Sequence, residues 1–296
     1  MKKALVHVAA LCLVAQLATA QIRLPQPSPS ATVAQTVGVT DITVKYSRPA
    51  VKGREIFGQL VPYGQLWRTG ANAATTFQVS TDVLVEGQKL PAGTYSVFTI
   101  PAQNDWTLIF NKNTTATTDA YKQEEDALRV KIKAAPTSEA VESFFIGFSN
   151  LTDSTANMNI AWANIRAAAA LQVDVNATAR ANVARAVADK PEDPAVLTAA
   201  ASYNLAKGRD LDQALAWADK AIGLKETYRN VWVKSQILAK MGKVTDALPL
   251  AQKALSLGET SGDPSFRFFK DAIAKNVTDY QAALPKLPAA KGRKKK

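Results

Sequence analysis

The sequence predicts an α+β protein in two parts, an all-β antiparallel sandwich or barrel followed by α-helical hairpin repeats. Before residue 174, apolar side chains recur at every second position, which is typical of strands with one buried face. After residue 174, the composition becomes rich in alanine and the apolar period becomes helical. We therefore expect a β-sandwich domain at 21–173 and a helical repeat domain at 174–283.

The first twenty residues have the pattern of a secretory signal peptide. Lys2 and Lys3 precede an apolar run, which ends at the small-residue triplet Ala18-Thr19-Ala20. We expect cleavage after Ala20. The pattern therefore predicts an exported protein, periplasmic or secreted, that is soluble after the signal peptide 1–20 has been removed.

The predicted cleavage also removes two kinds of side-chain chemistry. His7 is the only histidine and Cys12 the only cysteine, and both lie in the signal peptide. The mature chain would then have no disulfide, no Cys/His zinc site and no Ser-His-Asp triad. Catalysis would depend on carboxylates, lysine, tyrosine or a hydroxyl group.

Short strands separated by turn signals account for the β domain. We predict them at 42–46, 76–80, 83–86, 94–100, 106–110, 128–132, 144–148, 156–162 and 165–173. No helical pattern intervenes, and this favours an antiparallel sandwich or barrel.

An internal repeat organises the helical domain. The stretch 205–215 aligns with 238–248 at a fixed offset of 33 residues. Helix pairs joined by a tight turn, with small residues where the helices cross, form repeats of this kind. With flanking helices near 176–189 and 264–275, the pattern predicts roughly six helices.

The repeat resembles the tetratricopeptide repeat. Gly242, Ala247 and Ala254 occupy the turn and small-residue positions of that motif, whereas Gly208 is displaced by one residue and the terminal proline is absent. The resemblance implies a groove for a peptide or protein partner. The alternative is that the helices dock on the β domain and stabilise it.

The net charge of +11 is concentrated at the C-terminus. The two folded parts are nearly neutral, and the excess lies in a basic tail at 284–296 that we expect to be disordered. A nucleic-acid-binding domain would carry its excess on a folded face, so we expect no nucleic acid partner. The tail either keeps the protein soluble or contacts an anionic membrane surface.

A loop rich in Gly, Pro and Arg between the first two predicted strands holds the candidate ligand-binding residues. They are Arg48, Arg54, Glu55, Trp67, Arg68, Thr69 and Asn72. Guanidinium groups bind carboxylate, phosphate or sulfate in a bidentate manner, so the arginines predict a small anionic ligand. The alternative is structural, with one arginine paired to Glu55 and the others bonded to loop carbonyls.

The same loop carries a family resemblance. In and beside the loop, the motifs that carry the resemblance are Tyr46-Ser47-Arg48-Pro49, the Lys-Gly-Arg-Glu-Ile-Phe-Gly stretch at 52–58 and the Trp-Arg-Thr-Gly-Ala-Asn stretch at 67–72. A further motif, the Leu-Pro-Ala-Gly-Thr-Tyr stretch at 90–95, follows later in the chain. Over residues 22–173 the chain resembles the domain-of-unknown-function 2911 family, whose members are typically exported proteins of Bacteroidetes-type bacteria. The resemblance implies the extent of the domain and export, and it implies no activity.

No motif in the chain indicates a cofactor or a metal, since it has neither a Walker loop, a dinucleotide-binding glycine pattern nor a calcium loop. We therefore predict no catalytic residue and a non-catalytic ligand-binding or protein-interaction module of the bacterial envelope. The alternative is a carboxylate-based hydrolase that acts on envelope glycan or peptide. Such an enzyme needs a second carboxylate that faces Glu55 across a cleft.

Overall fold

Two compact units make up the structure, a computed structural model that describes residues 24–284. The division falls between Asp174 and Val175, with the strands before it and the α-helices after it. The predicted α+β class, with an antiparallel first part and a helical second part, is confirmed. The signal peptide predicted at 1–20 and the basic tail from residue 285 onward lie outside the described residues.

The described strands of the first unit form one hydrogen-bonded sheet. They are β1 (Ser30–Val37), β2 (Thr40–Ser47), β3 (Thr76–Val79), β4 (Val83–Val85), β5 (Gln88–Leu90), β6 (Gly93–Ile100), β7 (Asp105–Asn111), β8 (Asp126–Ser149) and β9 (Thr155–Val173). Their order is β1-β2-β3-β6-β7-β8-β9-β4-β5, and every neighbouring pair is antiparallel.

The strand predictions were wrong in two respects. The segments 128–132 and 144–148 belong to the single strand β8, and 156–162 and 165–173 belong to β9. β8 and β9 stay paired through the segment in which the apolar alternation breaks, because their register shifts on either side of Val141. The sequence analysis also missed β1 and the three-residue β5, so the candidate loop lies between β2 and β3, not between the first two strands.

Aromatic side chains fill the core of the first unit. Phe77, Trp106, Phe110 and Phe144 are fully buried and come from β3, β7 and β8. They pack edge to face or tilted, as in the contact between Phe77 and Phe110, whose ring centroids are 5.0 Å apart. The loop after β2 packs on this core, because its Phe57 contacts Trp106 and its Trp67 contacts Trp106 and Phe144.

Helices make up the second unit. They are α1 (Val175–Asp189), α2 (Pro194–Lys207), α3 (Leu211–Leu224), α4 (Tyr228–Lys240), α5 (Val244–Thr260) and α6 (Lys270–Ala283), with a 3-10 helix at Pro264–Phe268. The helix predicted near 264–275 therefore begins later, because Asp263 and Pro264 start a separate 3-10 turn first. Among the described residues, no helix has both the length and the apolar character needed to cross a membrane.

Two helix pairs in this unit follow the repeat in the sequence. α3 begins at Leu211 and α5 at Val244, which reproduces the 33-residue offset. Gly208 and Gly242 have φ angles of 62° and 80° at the ends of α2 and α4, the left-handed conformation in which helices commonly end. The alanines that the repeat places at helix crossings, Ala214, Ala218, Ala221, Ala247, Ala251 and Ala254, are fully buried.

Candidate functional site

The loop that joins β2 to β3, residues 48–75, is held to the sheet by backbone hydrogen bonds. Near its start, Val51 N donates to Glu142 O at 2.8 Å, and Phe144 N donates to Pro49 O at 2.8 Å. Further along, Trp67 and Thr99 exchange a pair of bonds of 2.8 and 2.9 Å. The loop therefore pairs first with β8 and then with β6, which gives it a fixed conformation.

Buried hydroxyl groups fix the middle of the loop. Thr69 is fully buried, with a φ of 54°, and its Oγ1 lies 3.0 Å from Thr99 Oγ1. Thr75 Oγ1 donates to Thr69 O at 2.7 Å. Gly70, next in the chain, has a φ of 147°, and a Cβ added there would lie only 3.2 Å from Ser47 O. Thr69 therefore bonds to its own fold and does not face an open cavity.

A cleft of about 610 Å³ lies over this loop. It is lined by Pro27, Ser28, Pro49, Ala50, Lys52, Arg54, Leu60, Val61, Trp67, Arg68, Gly70, Ala71, Asn72 and Trp162. Four of the seven predicted site residues line it: Arg54, Trp67, Arg68 and Asn72. The other three, Arg48, Glu55 and Thr69, lie outside the lining.

The charges on the cleft lining are all positive. Lys52, Arg54 and Arg68 line it, and no carboxylate from the described part of the chain does. None of these three side chains forms an ion pair within residues 24–284. An acidic side chain of β8 does contact the loop, since Glu142 Oε1 accepts a hydrogen bond from Lys52 N at 3.0 Å.

Each arginine side chain of the loop donates at least one hydrogen bond to a backbone carbonyl. Arg48 Nε donates to Phe144 O at 2.9 Å, so this side chain is directed at β8. Arg54 donates twice, from Nε to Val51 O at 3.0 Å and from Nη2 to Ala50 O at 2.5 Å, and Arg68 Nη1 donates to Asn72 O at 3.1 Å. Since a guanidinium group has five N–H donors, Arg54 and Arg68 retain donors for a ligand.

Within residues 24–284, no arginine of the loop pairs with Glu55, so this part of the structural alternative is wrong. Its other part agrees with the structure, since Arg54 and Arg68 do donate to loop carbonyls. Glu55 is exposed, and no ion pair involves it among the described residues. Asn72 lines the cleft, and its Nδ2 donates to Ser28 O at 3.1 Å, which holds the segment before β1 in place. Groups of three or more Asp, Glu, His or Cys side chains suited to a metal ion are absent from the described part of the chain.

Ten of the fourteen lining residues were not among the predicted candidates, and Lys52 and Trp162 are two of these ten. Lys52 belongs to the same motif as Arg54, and its charge was a signal that could have placed it among the candidates. Trp162 lies on β9, and only the fold brings it to the loop. Its ring stacks on Trp67, with centroids 5.8 Å apart and planes inclined by 15°.

The helical unit has a separate groove of about 950 Å³ along α2 and α4. Tyr203, Tyr228 and Trp232 are among the residues that line it. At one end, hydrogen bonds from the side chain and backbone N–H of Ser265 hold the pKa of Asp263 below its usual value. The peptide or protein partner predicted for this unit, and the likeness to tetratricopeptide repeats, stay predictions.

Comparison with known families bears on the β unit. Residues 28–171 match the DUF2911 family. The members of this family are described as proteins of unknown function. Every residue of the cleft lining except Pro27 falls inside the DUF2911 match. Neither the curated proteins nor the solved structures give a match to this chain.

Proposed function

We propose that this protein is an exported, non-catalytic binding protein whose DUF2911 region holds a small anionic ligand in the cleft over the β2–β3 loop. The observation that carries the proposal is the charge of the lining. Lys52, Arg54 and Arg68 contribute three cations, and no carboxylate on the lining neutralises them. An anion that enters the cleft would gain charge-assisted hydrogen bonds, which are stronger than those between neutral groups.

The loop that carries these cations supports the proposal, because it is already ordered. Its bonds to β8 and β6 and the buried contact between Thr69 and Thr99 fix the backbone from which Arg54 and Arg68 project. A fixed loop reduces the conformational entropy lost when a ligand binds. The indole rings of Trp67 and Trp162 add an apolar wall for the uncharged part of the ligand.

The carboxylate-based hydrolase is less well supported by the same geometry. Glycosidases of that kind use two carboxyl groups on opposite sides of the bond that they cleave. The cleft lining has none, and the predicted candidate Glu55 lies outside it. Export is proposed from the signal-peptide pattern in residues 1–20.

A ligand panel on the mature chain, residues 21–296, tests the proposal. Phosphate, sulfate and glucuronate are added at low ionic strength, and the melting temperature is measured. We expect at least one anion to raise it, since a ligand at 100 times its Kd stabilises a protein by about 2.7 kcal/mol. Added salt should weaken the effect, because it screens the cations.

The matched variants are Arg68→Ala and Arg166→Ala. Arg166 is an exposed arginine on β9 that does not line the cleft, so it controls for the loss of one positive charge. We expect Arg68→Ala to remove the stabilisation by anions and Arg166→Ala to retain it. If none of the three anions raises the melting temperature, or if both variants respond alike, the proposal is wrong.

A further inference from the structure

Trp162, a residue that lines the cleft, has an indole N–H without a hydrogen-bond partner among residues 24–284. Within residues 24–284, three buried side-chain polar atoms lack a hydrogen bond: Glu125 Oε2, Arg209 Nε and Trp162 Nε1. Of these three residues, Trp162 is the one that lines the cleft over the β2–β3 loop. An indole nitrogen can only donate, so this N–H needs an acceptor.

The second indole of the cleft shows the contrast. Trp67 Nε1 donates to Gly70 O at 3.3 Å, so its N–H already has an acceptor within the loop. Trp162 is only 2% exposed, and its nitrogen has less than 1 Å² of accessible surface. Buried polar groups in native proteins nearly always have a partner, and each exception calls for an explanation.

Packing prevents the Trp162 ring from turning to find a partner elsewhere. Trp67 stacks on it at 5.8 Å, and the rings of Phe144 and Phe57 approach it edge to face at 5.8 and 6.5 Å. Aromatic contacts of this kind define the orientation of a ring in a close-packed core. The unpaired N–H is therefore a fixed feature of the wall.

We infer that the ligand of the cleft carries a neutral acceptor oxygen beside its anionic group, and that this oxygen accepts a hydrogen bond from Trp162 Nε1. The inference rests on the proposed function, since it assumes that an anion lies among Lys52, Arg54 and Arg68. The ligand class is a carboxylate or phosphate that bears a hydroxyl or carbonyl oxygen, such as a uronic acid or a sugar phosphate. Because the nitrogen has less than 1 Å² of accessible surface, binding requires that a lining side chain outside this aromatic cluster moves aside to admit the oxygen, while the Trp162 ring stays in place.

Specificity follows from this arrangement. The cations attract any small anion, whereas the buried N–H favours an anion that can satisfy it. A site with a buried donor discriminates against an analogue that leaves this donor unpaired. Trp162 is thus the specificity-determining residue, and the three cations supply the charge recognition.

The experiment compares glucuronate with cyclohexanecarboxylate, two six-membered rings with one carboxylate each, of which only the first has further oxygens. The mature chain is labelled with ¹⁵N, and its five tryptophans give indole N–H signals that are resolved by NMR. Trp162→Phe assigns the signal of Trp162. We expect glucuronate to move this signal downfield, to slow its hydrogen exchange and to bind about tenfold more tightly than cyclohexanecarboxylate.

In Trp162→Phe, the preference for glucuronate should largely disappear, while both carboxylates still bind. The remaining indole signals report whether this variant is folded, and the exchange measurement on the parent protein needs no variant. If both probes move the Trp67 and Arg68 signals while the Trp162 signal and its exchange rate stay constant, this inference is wrong and the proposed function stands. If neither probe moves any signal of the cleft, this inference is wrong, and the proposed function is then decided by phosphate and sulfate in the ligand panel.

Discussion

Trp67 and Trp162 stack nearly parallel, with ring centroids 5.8 Å apart and an interplanar angle of 15°. The first ring belongs to the β2–β3 loop and the second to β9. Their contact joins the loop to β9, and both residues line the cleft. The shape of the cleft therefore depends on the bonds that hold the loop at Thr69 and Gly70.

The buried pair of hydroxyls at Thr69 and Thr99 yields the first prediction. Thr69→Val removes one hydroxyl, leaves Thr99 Oγ1 without this partner and keeps a β-branched residue at a φ of 54°. A buried group left unpaired costs about 1–3 kcal/mol, so we expect a loss of stability of that size in urea unfolding. Thr99→Val should cost a similar amount, and the double variant less than the sum of the two. Additive losses would show that the hydroxyls do not interact.

Gly70 and Gly53 provide a matched pair for backbone strain. Both have positive φ, but an added Cβ at Gly70 would lie 3.0 Å from Thr75 Oγ1 and 3.2 Å from Ser47 O, whereas Gly53 has open space. We expect Gly53→Ala to cost about 1 kcal/mol for the left-handed conformation and Gly70→Ala to cost clearly more. Thermal unfolding of both variants measures the difference. Equal losses of stability in the two variants would mean that the atoms close to Gly70 do not add to the cost of a Cβ there.

The sequence predicted those parts of the fold that depend on local pattern. The alternation at Ile42, Val44 and Tyr46 was sufficient to locate β2, and the repeat was sufficient to identify alanines that are buried on α3 and α5. Where local pattern is weak, prediction failed. β5 has three residues, and β8 and β9 continue through irregular register near Val141.

The candidate site was predicted in part for the same reason. Arg54, Trp67, Arg68 and Asn72 lie close together in the chain, and they also line the cleft. The direction of a side chain, however, is set by its tertiary partners. Arg48 turns to Phe144 O, and Trp162 reaches the loop through the pairing of β8 with β9. Neither relationship leaves a signal in the local sequence.

The β4–β5 hairpin yields a prediction on pH. Asp82 has a pKa below its ordinary value of 3.8, because Lys89 and the backbone N–H of Ala92 donate hydrogen bonds to its carboxylate. A carboxyl group whose pKa is lower in the folded state stabilises the protein at higher pH, and this stability is lost as the pH falls through that lowered value. We expect Asp82→Asn to lower the melting temperature near neutral pH. The difference from the parent protein should disappear below the lowered pKa, and a difference that is independent of pH would contradict this account.

Arg48 and Arg68 separate the structural role of the loop arginines from the binding role. Arg48 donates to Phe144 O in the partly buried link between the loop and β8, whereas Arg68 makes an exposed bond to Asn72 O and lines the cleft. Methionine keeps the aliphatic stem of either side chain and removes the donors. We expect Arg48→Met to lower the free energy of unfolding by about 1–3 kcal/mol, the cost of leaving a buried carbonyl unpaired. Arg68→Met should change it by about 0.5 kcal/mol or less, as for other surface positions.

The response to anions should be the reverse of the effect on stability. Because Arg48 lies outside the lining, Arg48→Met should keep the rise in melting temperature with phosphate, sulfate or glucuronate, measured from its own lower baseline. Arg68→Met should lose that rise, although its unfolding in urea remains close to that of the parent protein. A variant of Arg68 that is destabilised as strongly as the variant of Arg48 would assign both arginines to the structure of the loop. A ligand response that survives in Arg68→Met would remove this residue from the binding site.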